Sequence, residues 1–315
     1  MNIPVLFIPF ARPVYARQTF EAIKKAKPVK LYIYIDKARK DHPDEIIGNN
    51  EVAGLINDVD WECDLKTFVR EENVGVYKSI LTAIDWVFEN EEQAIVFEED
   101  CKPSVAFFDF CEQLLNLYKD NQQVWVISGN NFIEGFNPNN YDYFFSPFAY
   151  QWGWATWRDR WLRVKRDGFN VNKIIEYDLY RQLYGMRSAA AQAYKWLGKQ
   201  QDKDGYYRPV SWDFMFQMSM RINGGFGIVP KMNLVANIGV VGTHSSKTNK
   251  ITHNRPLPDL DKYLIIKHPP FVVSDFKFTR KFYLEVEREK DTFYIKKIYR
   301  FLKRRMTSLF KKNHD

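Results

Sequence analysis

The sequence predicts an open, mostly parallel, doubly wound α/β sheet with helices on both faces, followed by a basic amphipathic helix at the chain end. Three observations predict it. Short β-rich runs alternate with helically spaced segments from the start to about residue 130, the pattern of βαβ units whose parallel strands are covered on both faces. Two of those runs end in acidic residues at their predicted carboxyl ends, where such sheets bind ligands. Beyond residue 290 the chain takes on helical spacing and a strong positive charge.

In order, "IPVLFIPF" (3–10) is a strand, Arg12 and Pro13 a turn, and "VYARQTFEAIKKA" a helix. "VKLYIYID" (29–36) is a strand ending at Asp36, and "CDLKTFVREENVG" a short strand and turn. "VYKSILTAIDWVFEN" is a helix, "QAIVFEED" a strand, "SVAFFDFCEQLLNLYKD" a helix and "QQVWVISG" a fifth strand. From Asn130 the rhythm gives way to aromatic, loop-rich sequence that forms no separate domain. Residues 249–275 are irregular, broken by Pro256, Pro258, Pro269 and Pro270. The division expected is one body over 1–285 and a basic helix over 286–315.

With 315 residues, 45% hydrophobic and 17% aromatic, the chain has material for a substantial core. Net charge is +7, but residues 291–315 alone hold eight basic and two acidic side chains, so the preceding body is nearly neutral. That distribution argues against a nucleic-acid-binding body. Cys63, Cys101 and Cys111 are too few and too scattered for a disulfide framework or a zinc site. No apolar run reaches membrane-spanning length, and "MNIPVLFIPFARP" lacks the basic start of a secretory signal. The expected compartment is the cytoplasm.

The run "IVFEEDCKP" (95–103) places Glu98, Glu99 and Asp100 where a buried strand emerges. With 39 acidic residues in the chain, chance alone supplies about 0.6 such triplets, so the setting must decide. Carboxylates at a strand's exit into a cleft suit a hard divalent cation shared with a diphosphate, and such an ion would stabilise a departing diphosphate. If the strand persists, Glu98 and Asp100 share one side and Glu99 opposes them, with Asp100 the first choice as ligand. A solvated strand end is the plainer reading.

Taken together, "IPVLFIPFARP", "YIYIDKA", "NVGVYKSILTAIDWVF", "IVFEEDCKPSVAFFDF", "GWATWRDRW" and "SWDFMF" resemble, in that order, nucleotide-sugar-dependent glycosyltransferases of the GT-A fold. The likeness is to the N-acetylglucosaminyltransferase I type and its bacterial sugar-transferase relatives, over about 3–244. The resemblance implies that Arg12 contacts the donor nucleotide, as a guanidinium suited to phosphate would. It implies that Asp36 accepts a hydrogen bond from a uracil ring, and that Glu98, Glu99 and Asp100 form the acidic metal motif for Mn2+ or Mg2+. The family usually carries aspartate in the middle; this chain has Glu99, which puts that residue's share in ribose or metal binding in question. The duller alternatives are a locally paired Arg12 and an Asp36 that opens a turn.

Inverting transfer needs one general base for the acceptor hydroxyl. Asp213, opening the apolar run "FMFQMSM", matches the family's catalytic acid, with a helix N-cap as the alternative. In 233–247, Gly239 and Gly242 allow close backbone approach or movement. His244, Ser245 and Lys247 could close over the diphosphate, His244 as a metal or phosphate ligand, while His42, His253, His268 and His314 stand without obvious company. Trp152 and Trp154, flanking Gly153, offer faces to the donor or acceptor sugar; Trp157 and Trp161 suit the core face of a following helix. Ser128, Gly129 and Asn130, after the fifth strand, are placed to line the cleft.

At 100° per residue, Ile295, Ile298, Leu302, Met306 and Leu309 share a face opposite Lys296, Arg300, Lys303 and Arg304. Such a helix lies in a membrane interface with its basic residues toward anionic lipid, or packs on its own domain. The expectation is a metal-dependent glycosyltransferase of UDP-sugars, peripheral on the inner face of the cell membrane, with a saccharide acceptor that can be lipid-linked. Bacterial surface polysaccharide synthesis is implied by the resemblance. Two other classes compete: a sugar nucleotidyltransferase, which needs a glycine-rich basic loop after the first strand where this chain has "PFARPVY", and a non-catalytic membrane-associated scaffold.

Overall fold

The computed structural model of the chain describes residues 2–207, 211–239 and 252–287. Its first half follows the expected alternation: β1 (Val5–Ile8), α1 (Pro13–Ala26), β2 (Lys30–Ile35), α2 (Pro43–Gly54), β3 (Asp64–Val69), α3 (Val76–Asn90), β4 (Gln93–Glu98), the short β5 (Cys101–Pro103), α4 (Val105–Tyr118) and β6 (Val124–Ser128). The second half holds β7 (Tyr143–Ser146), β8 (Trp154–Trp157), α5 (Arg158–Trp161), β9 (Phe169–Asn170), α6 (Val171–Glu176), α7 (Leu179–Tyr184), α8 (Arg187–Gln200) and β10 (Tyr206–Tyr207). Then follow α9 (Trp212–Ile222), β11 (Phe226–Pro230), β12 (Val235–Asn237) and α10 (Phe276–Phe282), which runs into a π-helical turn at Tyr283–Glu287.

Eight strands form one sheet in the order β3-β2-β1-β4-β8-β6-β11-β7. β3, β2, β1 and β4 are mutually parallel, and β6 and β11 run with them, while β8 and β7 are reversed. The sheet is therefore mostly parallel with helices on both faces, as the alternation predicts. Period-2 alternation divides each central strand between two cores. Leu6, Ile8, Tyr32, Tyr34, Ala94 and Val96 face one; Val5, Phe7, Leu31, Ile33, Ile95 and Phe97 face the other.

The structure departs from the sequence reading in two places that matter to the site. α2 was not expected, because its buried face is made of Gly48, Asn49 and Val52 and carries almost no apolar stripe. Gly48 is required there: a Cβ would stand 2.3 Å from Ala11 O, so α2 packs directly on the loop after β1. The tryptophan run, expected to lead into a helix, instead forms the reversed strand β8, paired with both β4 and β6. The helix that follows is a single turn, and Trp154 and Trp161 reach one core because a strand and a turn bring them there, not because of helical spacing. The basic C-terminal helix expected over 286–315 falls outside the described residues apart from Val286 and Glu287.

Candidate functional site

β2, β1 and β4 are neighbours in the sheet and parallel, so their carboxyl ends open side by side. The loops leaving them enclose a cavity of about 560 Å³. Arg12 enters from the β1–α1 loop, Asp36 from the end of β2, and Glu98, Glu99 and Asp100 from the end of β4. Gly75 and Ser79 at the start of α3 line it near Asp36, and Trp152, Asn237, Gly239 and His253 line it as well.

β4 ends at Glu98 and the chain turns at once, so strand alternation does not govern the triplet. Glu99 and Asp100 both turn to Arg12, whose Nε donates to Glu99 Oε1 and whose Nη2 donates to Asp100 Oδ2 at 2.8 Å. Glu99, 5% exposed, also accepts from Phe10 N at 2.5 Å, and its carbonyl accepts from Thr19 Oγ1 at 2.8 Å. Glu99 therefore anchors the β1–α1 loop to the end of β4. The longer side chain in the middle of the motif has a structural task. Burial pushes Glu99 up despite Arg12, and burial likewise works against the Arg12 charge, but the two carboxylates outweigh it and hold Arg12 protonated. Pro13 at the start of α1 supplies the fixed φ and missing N–H that suit a first helical turn.

Glu98 is pushed up to about 8 by burial and by the charges of Asp100, Asp213 and Glu99. Asp213 thus lies close enough to act on the cavity's acidic wall, though it is not part of the lining itself. It stands in the first turn of α9, where Ser211, not Asp213, holds the capping position and donates its Oγ to Asp213 Oδ1. The capping alternative for Asp213 is corrected on that geometry.

Asp36 is 4% exposed. Its carboxylate accepts from Lys37 N at 3.0 Å and from Val74 N at 3.3 Å, so it ties the end of β2 to the loop before α3. Burial raises it, opposed by those backbone N–H groups. Asn49 of α2 donates to Phe10 O and to Asp36 O at 2.8 Å each, locking the loops of Arg12 and Asp36 together. Sequence reading missed Asn49 along with its helix.

The other expected site residues divide. Trp152 lines the cavity, its ring 5.0 Å from that of His253. Trp154 does not: it is 1% exposed and packed on Trp212 and Phe216, with no face left for a sugar. Ser128, Gly129 and Asn130 lie behind the wall. Ser128 Oγ donates to Tyr150 O at 2.7 Å, Asn130 Nδ2 donates to Val235 O at 3.0 Å, and a Cβ on Gly129 would meet Val235 at 2.2 Å. Gly129 and Asn130 thus stitch the end of β6 to β12, and Ser128 ties it to the segment before β8. His253, without company in the sequence, gains it in space beside Trp152. His244, Ser245, Lys247 and Gly242 lie outside the described residues.

Among the described residues no group of three or more His, Cys, Asp or Glu side chains is disposed to hold a metal ion. The donors present are nonetheless of the right kind. Glu98 and Asp100 are carboxylates crowded enough to raise Glu98, and among the described residues Asp100 Oδ1 meets only Cys101 Sγ, at 3.7 Å. A Mg2+ ion can be held by one or two carboxylates with water and phosphate completing its shell, and the residues fit a cation held in that way.

No family model matches the chain. Solved structures similar to parts of it include a mannosyltransferase from Pyrobaculum calidifontis in complex with GDP-Man and Mn2+ (9% identity, 51% of this chain and 46% of that one, TM-score 0.35). TarS residues 1–349 of S. aureus matches at 9% identity over 75% of this chain and 60% of that one, TM-score 0.38. A UDP-glucose pyrophosphorylase matches at 12% identity over 75% and 93%, TM-score 0.37. The match thus spans about half the length of the first of these proteins and 60% of the second.

Proposed function

We propose that the chain is a metal-dependent glycosyltransferase of the GT-A type, using a UDP-sugar and inverting the transferred centre, with Asp213 as the base that takes the acceptor's proton. One observation carries the reading: the carboxyl ends of three adjacent parallel strands deliver Arg12, Asp36 and the Glu98–Asp100 wall into a single cavity, the place and the chemistry that a nucleoside diphosphate requires. In this reading Asp36 would bind the donor's nucleobase, and Arg12 and the β4 carboxylates the diphosphate end. Glu98 and Asp100 would hold Mn2+ or Mg2+, which neutralises charge on the departing diphosphate. Trp152 offers a half-buried aromatic face for a sugar ring, and His253 braces it.

The nucleotidyltransferase reading is less well served. The loop after β1 is built of Pro9, Phe10, Ala11 and Arg12, with no glycine-rich cradle of free N–H groups, and Phe10 N is taken by Glu99. The acceptor is proposed to be a saccharide of a bacterial surface polysaccharide, lipid-linked at the cytoplasmic leaflet, where the basic amphipathic end of the chain holds the enzyme. No helix among the described residues is long and apolar enough to cross a membrane.

Isothermal titration of the full chain with UDP and UDP-sugars, with Mn2+ and with EDTA, tests the reading. Metal-dependent binding at micromolar strength is expected. UDP that fails to bind in either condition would sink it.

A further inference from the structure

The acidic wall of the cavity is already paired with a positive charge of the chain's own. Arg12 Nη2 donates to Asp100 Oδ2 at 2.8 Å, and Arg12 Nε donates to Glu99 Oε1. The two ends of this clasp are not alike. Glu99 is held by more than Arg12: Phe10 N donates to its Oε2 at 2.5 Å, Thr19 Oγ1 donates to its main-chain oxygen at 2.8 Å, and the residue is 5% exposed. The Asp100 main chain is fixed through Ile238 N, but its carboxylate takes hydrogen bonds, among the described residues, only from Arg12 and from Cys101 Sγ at 3.7 Å. Glu99 is thus the fixed end, and Asp100 the end that can let go.

Asp100 is also one of the two carboxylates that fit a divalent cation. A cation bound about 2.1 Å from either of its oxygens would stand beside the guanidinium, and like charges held that close repel. Asp100 therefore cannot serve both partners at full strength, and a divalent cation arriving alone meets a carboxylate whose charge is already answered. A diphosphate changes the balance. A guanidinium binds phosphate oxygens through the same planar fork that it offers to a carboxylate. Arg12 Nη2 can pass to phosphate while Nε stays on Glu99, and Asp100 is released to the cation.

We propose that Arg12 holds the cation's place on Asp100 and yields it only to a nucleoside diphosphate, with Glu99 as the pivot on which it turns. The proposal deepens the reading of the cavity as a diphosphate site and rests on it. Cation and nucleotide then bind as a couple: each is weak alone, and each strengthens the other by the same factor, because the linkage is reciprocal. Glu99 is a positioning residue in this scheme. It touches neither cation nor phosphate and acts by keeping the guanidinium within reach of both.

Isothermal titration of the full chain with Mn2+, without nucleotide and again with saturating UDP, tests it. In the parent, UDP should tighten Mn2+ binding about 10-fold or more. Arg12→Met should tighten Mn2+ alone by about 10-fold and bring the UDP-induced gain close to nothing. Arg12→Met/Glu99→Gln should show the same tightening, which separates release of Asp100 from recruitment of a bared Glu99 as ligand. Arg39→Met is the control: it removes an equal charge from the same cavity, where Arg39 pairs with Glu45, and should change Mn2+ affinity by no more than about 2-fold. Mn2+ affinity that is unchanged or weaker in both Arg12 variants would overturn the proposal, as would equal tightening in Arg39→Met, which is what a general field would give. If Mn2+ tightens as expected while UDP binds no form of the protein, the nucleotide reading falls and the competition between Arg12 and the cation stands.

Discussion

Gly239 lies hard against Asp100: a Cβ at Gly239 would stand 2.4 Å from Asp100 Oδ2 and 3.3 Å from Arg12 Nη1. The approach is set by Ile238 N, which donates to Asp100 O at 2.8 Å, and by β12 pairing with β5. β12 and the residues just after it therefore help fix the Asp100 end of the acidic wall, beside Arg12.

Gly239→Ala should displace the Asp100 carboxylate while leaving the cores untouched. Misplacing a reacting group by an ångström costs about 100-fold, so transfer should fall by roughly 10- to 100-fold with a change in Tm of only about 2 °C. Parent-like turnover in a coupled UDP-release assay would show that Asp100 is not needed where it stands.

The Arg12–Glu99 pair should behave as a unit. Arg12→Met leaves the buried Glu99 carboxylate with Phe10 N as its main remaining partner. Breaking a buried pair costs about 3–5 kcal/mol, and Arg12, a third exposed, brings the expectation down to about 2 kcal/mol. Glu99→Gln keeps the Phe10 acceptor and should cost less. The double variant should be more stable than Arg12→Met alone, because the stranded charge is gone. Strict additivity of the denaturation midpoints would contradict the pairing.

Stability of the metal-free protein should fall as pH rises from about 5 to about 8. Glu98 goes from an ordinary value of 4.5 to about 8 in the fold, so the folded state holds a proton that the unfolded chain has released across that window. Protons favour the fold there, and the advantage disappears above the folded value. Asp36 and Glu99 are shifted the same way. In EDTA, Glu98→Gln should flatten part of the decline in Tm and be the more stable protein at pH 8. A parent Tm that rises steadily across the window would refute the sign.

How much of this was legible in sequence follows from what each residue touches. The strands and helices around β1, β2 and β4 could be read because their faces repeat with the right period, and with them the convergence of Arg12, Asp36 and Asp100. α2 could not, since a helix that packs through Gly48 and Asn49 has no apolar stripe to announce it. The place of Glu99 depended on a turn immediately after Glu98, and strand boundaries leave only weak traces in sequence. His253 and Trp152 are 101 positions apart and meet only through the fold. Trp154 misled because an aromatic residue beside glycine reads equally as a sugar platform or as core, and the reversed pairing of β8 settles it as core.

Asp213 is the sharpest test of the chemistry. It sits in the first turn of α9, where the helix N-terminus favours a negative charge, it takes a hydrogen bond from Ser211, and its charge acts on Glu98 across the cavity's acidic wall. Since Ser211 fills the capping position, Asp213→Asn should cost no more than about 1 kcal/mol of stability. It replaces the carboxylate that would take the acceptor's proton with an amide that cannot, while keeping size and hydrogen-bonding capacity. Loss of a positioned general base costs about 100- to 10,000-fold, so transfer should fall by at least two orders of magnitude with Kd for UDP unchanged in titration. If turnover of the Asn variant stays within a factor of about three of the parent, the base lies elsewhere; if UDP binding falls in step with turnover, Asp213 belongs to the donor site and not to the acceptor's proton.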